Sequence, residues 1–104
     1  MRESEKGMEF TLIEKGLLSY MLKHRPDTGG IKIDEINRLL GVSEKNESVQ
    51  KKNRSEAINE INMKWRLISA SGVNLIERIR SDSDKRIFFY LINPTERSAL
   101  REMI

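Results

Sequence analysis

Asn53 to Ser69, NRSEAINEINMKWRLIS, is the stretch on which the reading of the whole chain turns. Ile58, Ile61, Trp65 and Ile68 recur at i, i+3, i+7 and i+10, one stripe of a 3.6-residue repeat. Arg54 continues that stripe and Val49 leaves it, so the spacing predicts a helix from about Arg54. Asn53 is the expected N-cap, with Glu56 closing a capping box, and Gly72 is the expected stop. Away from the stripe lie Ser55, Asn59, Asn62 and Arg66. Their hydroxyl, amide and guanidinium groups can hydrogen-bond base edges, and they succeed one another at helical spacing. An ordinary solvated face is the competing reading. Such faces are usually Lys and Glu, and two Asn and one Arg depart from that only mildly.

The chain downstream of the helix favours the reading face. Leu75–Arg80 (LIERIR) and Arg86–Ile92 (RIFFYLI) have strand composition, and Ser81–Lys85 (SDSDK) has the chemistry of a hairpin loop. Arg78, Arg80, Lys85 and Arg86 rim that loop. A basic-rimmed hairpin can lie along phosphates or enter a minor groove while the helix occupies the major groove. Lys51, Lys52, Arg54 and Lys64 are the expected backbone contacts from the helix side. Glu56 and Glu60 weigh against a deep fit.

Upstream, residues 1–10 read as a polar lead. Thr11-x-x-Glu14 is a capping box opening a helix whose apolar face is Ile13, Leu17, Leu18, Met21 and Leu22, and Pro26 ends it. Asp27–Gly30 is a turn, and Ile31–Ile33 is a short edge strand. Asp34 is expected to cap a second helix with Ile36, Leu39 and Leu40 inward. At Leu40-Gly41-Val42-Ser43 a left-handed glycine ends that helix and Val42 folds back on it. Glu44–Lys52 offers one apolar residue, Val49, and reads as a polar loop. A rival reading starts the third helix at Glu44, with Gln50, Lys51 and Arg54 as readers; the missing apolar stripe argues against it. Asn93-Pro94-Thr95-Glu96 opens a last helix with Leu100, Met103 and Ile104 apolar. It packs either on the first helix or on a second copy in a homodimer.

The order is helix, short strand, helix, loop, helix, strand, hairpin loop, strand, helix. With the LGVS turn, it resembles the winged helix-turn-helix superfamily over about residues 11–92. The long polar loop before the third helix resembles the response-regulator effector branch, whose usual glycine-aromatic ending of the wing is absent here. The resemblance implies an α+β fold: a three-helix core, a C-terminal β-hairpin wing and here a short C-terminal helix. It also implies double-stranded DNA as the partner, with the third helix as reader.

The totals agree with one such domain. There are 104 residues, 34% charged and 38% hydrophobic, which suffices for one modest core. There is no Cys, so disulfides and thiolate zinc sites are excluded. No apolar run approaches the roughly 18 residues of a membrane span. The charged N-terminus is not a secretory signal, so a cytoplasmic protein is expected. Residues 1–50 carry eight Lys/Arg against nine Asp/Glu, and residues 51–104 carry eleven against seven, so the positive charge gathers around the helix and hairpin. The single histidine, His24, stands beside Arg25 and Pro26 at a helix end with no second His or Cys to share a metal. Asp82 and Asp84 supply too few oxygens for calcium and read as turn residues. No phosphate-loop, dinucleotide or nucleophile-elbow motif occurs. The chain is read as no enzyme and as needing no cofactor. The expectation is a sequence-specific DNA-binding domain, a transcription regulator. A plasmid or phage replication or partition protein, and a winged-helix protein-interaction module without DNA, are the alternatives.

Overall fold

The computed structural model describes residues 9–23 and 30–104. The expected end of the first helix at His24–Pro26 and most of the Asp27–Gly30 turn lie outside the described residues. The fold is α+β. Among the described residues, four α-helices, α1 (Leu12–Leu22), α2 (Ile33–Leu39), α3 (Glu47–Ser69) and α4 (Arg97–Met103), pack with a three-stranded antiparallel sheet. The strands are β1 (Ile31–Lys32), β2 (Ile76–Arg80) and β3 (Phe88–Ile92), in the order β1-β3-β2. No described helix is long and apolar enough to cross a membrane.

The capping box of α1 is present as the sequence predicts. Glu14 N–H donates to the Thr11 hydroxyl at 3.1 Å, and Thr11 N–H donates to Glu14 Oε1 at 2.8 Å. Leu17, Leu18 and Met21 are buried, whereas Ile13, expected to face inward, is exposed. Phe10, placed in the polar lead by the sequence, belongs to the core. α2 begins one residue before Asp34, and the expected Asp34 cap is not used. Instead Lys32 occupies the cap position, and its N–H donates to Glu35 Oε1 at 2.9 Å.

The turn after α2 forms as expected. Gly41 has φ 75°; its N–H donates to Arg38 O at 3.1 Å, and Val42 N–H donates to Asn37 O at 2.9 Å. This paired closure of a helix end satisfies two orphan carbonyls and buries Val42. Gly30, at φ 77°, is required for a different reason. A Cβ there would overlap the carbonyl of Tyr90, so the chain enters β1 only through a residue without one.

The largest correction concerns α3. It begins at Glu47, not Arg54, and most of the expected Glu44–Lys52 loop is helical. Asn46 is the N-cap, accepting Val49 N–H at 2.9 Å. Asn53, the expected cap, sits mid-helix and donates to Val49 O. The helix ends at Ala70, left-handed at φ 58°, two residues before Gly72. Ile61 and Trp65 of the expected stripe are fully buried, and Ile58 and Ile68 pack against the same core.

β2 and β3 pair with Arg78 opposite Tyr90 and Arg80 opposite Phe88. The last helix opens as the sequence predicts, with Asn93 Oδ1 accepting Thr95 N–H at 3.1 Å, but its first turn, Pro94–Glu96, is 3-10. Leu100 is buried, and Arg97 donates to Leu22 O, so α4 packs back on α1 and leaves Met103 and Ile104 exposed.

Candidate nucleic-acid interface

α3 is divided by what surrounds it. Its buried residues are Ile61, Asn62, Lys64 and Trp65; none lies between Glu47 and Glu60. The front part therefore runs for more than three turns without burying a side chain fully. Polar tethers hold it. Gln50 Nε2 donates to Val42 O at 3.2 Å and to Ser43 O at 3.0 Å, fastening the helix to the preceding turn. Arg54 Nη1 donates to the buried Asn37 Oδ1 at 3.0 Å, fastening it to α2.

The four expected base readers separate. Ser55 and Asn59 are exposed and line a groove of about 470 Å³ that is closed on the far side by Ile76 and Arg78 of β2. Arg66 is exposed and does not itself line the groove; its guanidinium is bonded to Asn74, which does. Asn62 is withdrawn from the reading set. It is only 7% exposed, and its amide is used up internally. Oδ1 accepts Leu75 N–H at 2.9 Å and Ile76 N–H at 2.8 Å, and Nδ2 donates to Ile76 O at 3.3 Å. It is the clamp that sets the hairpin against α3, because an amide can supply both donor and acceptor to a strand entering the sheet.

The expected backbone contacts separate too. Lys64 is buried and ion-paired with Glu14 at 2.9 Å, so its ammonium has no access to a phosphate. Arg54 is half-buried and engaged with Asn37. Arg86 is exposed but forked onto Asp84, with Nε–Oδ1 and Nη2–Oδ2 both 3.1 Å. That fork, with the Arg86 N–H on the same carboxylate, holds Asp84 below the ordinary carboxylate range and raises the guanidinium. Lys51, Lys52, Arg78, Arg80 and Lys85 are exposed and enter no ion pair among the described residues.

Arg78 and Arg80 share one support. Their guanidinium carbons lie 4.6 and 5.1 Å from the centroid of the Phe88 ring. The register places Arg78, Arg80, Phe88 and Tyr90 on the same face of the hairpin. That face borders the groove that Ser55 and Asn59 line. The aromatic ring orders two adjacent cations that enter no ion pair among the described residues, although Glu77 also lines the groove.

One residue escaped the sequence reading. Ser48 is exposed and falls at 48, 52, 55, 59, 66 with Lys52, Ser55, Asn59 and Arg66, which is a single helical stripe. The signal was Asn46, a good N-cap, followed by helix-compatible residues. It was hidden because a helical segment that buries no side chain needs no apolar stripe.

Glu56 and Glu60 turn away from this groove. They line a second groove on the opposite flank of α3, beside Ile13 and Leu40, so the carboxylates that weighed against a phosphate partner lie on another surface. Comparison with protein-family models, curated proteins and solved structures returns no match.

Proposed function

We propose that the chain is a winged-helix domain that binds double-stranded DNA sequence-specifically as a transcription regulator. The observation that carries this reading is the front part of α3. It carries Lys52, Ser55 and Asn59 along one exposed stripe, of which Ser55 and Asn59 line the same groove as Arg78 of the hairpin. The element order and the glycine-closed turn before α3 support the same reading.

In this reading the front of α3 enters the major groove. Asn59 reads a base, with adenine the natural bidentate partner of an amide, and Ser48 and Ser55 contact bases or phosphates beside it. Arg66, bonded to the groove-lining Asn74, exchanges it for a guanine or a phosphate. Lys51, Lys52, Arg78, Arg80 and Lys85 neutralise backbone. Asn62, Lys64 and Arg54 act only by holding the frame, and Arg86 shapes the hairpin loop.

Selection from a random duplex library tests this, with anisotropy titration of the recovered sequence at several salt concentrations. A consensus should emerge. If the five unpaired cations each neutralise one phosphate, log K should fall with log salt with a slope of about −4.5. Failure to enrich any sequence, or binding equal for all duplexes, sinks the reading.

A further inference from the structure

We propose that the groove on the opposite flank of α3 is a docking site for a cationic amphipathic segment of a partner protein. It lies between the first turn of α1, the end of α2 and α3, with a volume of about 360 Å³. Ile13, Leu40 and Ala57 give it apolar walls. Ile13 is 60% exposed and the neighbouring Leu12 is 86% exposed, although α1 opens the core of the molecule. Further along the stripe of α3 that carries Glu56 and Glu60, Met63 and Leu67 are also exposed, at 43% and 58%. Apolar side chains on the outward side of two elements form a surface that gains by being covered.

The charge of the groove selects the occupant. Glu56 and Glu60 stand one turn apart on its rim, and neither forms an ion pair among the described residues. Glu14, the third carboxylate, is already matched by Lys64 at 2.9 Å and adds no free charge. The groove is therefore locally acidic in a chain of net charge +3. Phosphates are repelled there, and a wholly apolar segment would strand two carboxylates at its edge. A segment with one apolar anchor flanked by Lys or Arg one turn apart fills the apolar walls and pairs both glutamates. The site does not depend on the DNA reading, because it uses none of the residues assigned to that face.

Selection of a displayed random 16-residue peptide library against the full chain tests the proposal. The retained peptides should carry Lys or Arg beside a large apolar residue. They should bind Glu56→Lys/Glu60→Lys at least tenfold more weakly. Ala57→Arg, which blocks the groove without touching the carboxylates, should lose them as well. Circular dichroism melts confirm that both variants fold, and Ile13→Ser supplies a third variant if either does not. Acidic or uncharged winners, winners retained by the variants, or no enrichment would each overturn it. So would self-association of the chain in sedimentation that the same variants abolish, since that assigns the groove to a second copy.

Discussion

Residues 47–60 and residues 61–69 of α3 form one continuous helix, yet different forces hold them. The rear part is packed: Ile61 and Trp65 are fully buried, Asn62 clamps the start of β2, and Lys64 is paired to Glu14 inside the molecule. The front part buries no side chain fully; half-buried Ile58 packs against the core at its rear end, and Asn46, Gln50 and Arg54 fix the rest through hydrogen bonds to its own first turn, to the preceding turn and to α2. Helix propagation from the packed part supplies the remainder, since adding residues to an existing helix avoids the cost of nucleation. One part of the helix is thus committed to the core, and the other leaves most of its side chains in solvent, where the proposed reading puts the DNA. Substitutions in the two parts should separate into stability effects and affinity effects.

The largest effect should come from Trp65→Ala in the rear part. It removes a fully buried indole and its N–H donation to Glu96 at 2.9 Å. A loss of about 3–5 kcal/mol is expected in urea unfolding. Next is Asn62→Ala, which leaves the amide groups of Leu75 and Ile76 without their partner. About 2–3 kcal/mol of stability should disappear. If Asn62→Ala leaves stability intact, the clamp assigned to this residue is wrong.

Asn59→Ala makes the contrast from the other side. Its unfolding midpoint should stay within about 0.5 kcal/mol of the parent, as expected for an exposed site. Its affinity for the selected duplex should drop by about 1–3 kcal/mol, with specificity relaxed at one base. A stability loss matching the affinity loss would erase the division between the two parts.

The smallest effect is in pH dependence. The Trp65 indole and then the Thr95 hydroxyl hydrogen-bond Glu96 and hold its carboxyl below the ordinary value of 4.5. Ionised Glu96 therefore stabilises the fold above pH 4.5, and the contribution disappears as pH falls through the lower folded value. In Trp65→Phe, carbon-detected titration should find Glu96 closer to 4.5, with a flatter stability profile below that pH.

The rear part of α3 was legible in the sequence because burial imposes periodicity. Ile61, Trp65 and Ile68 announced it, continuing the stripe begun by Ile58; the Thr11–Glu14 box, the Gly41 closure and the two strands of the hairpin were legible too. The front part was not legible as helix, for the same physical reason that makes it available: with no side chain to bury, ESVQKKN needs no apolar face. The roles of Asn62 and Lys64 were also hidden. Helical spacing gives an angle about the axis but does not reveal which flank the hairpin covers, or that Glu14, 50 residues away, meets Lys64. Ile13 misled in the opposite direction: an apolar residue on the expected face of α1 proved to be exposed.

The most direct test of the central claim is an NMR titration of the labelled chain with the duplex recovered by selection, in about 0.15 M salt. Amide shifts should appear together and saturate together over residues 48–59 of α3 and residues 78–86 of the hairpin, leaving α1 unmoved. Shifts confined to the hairpin, or centred on α1, would contradict it.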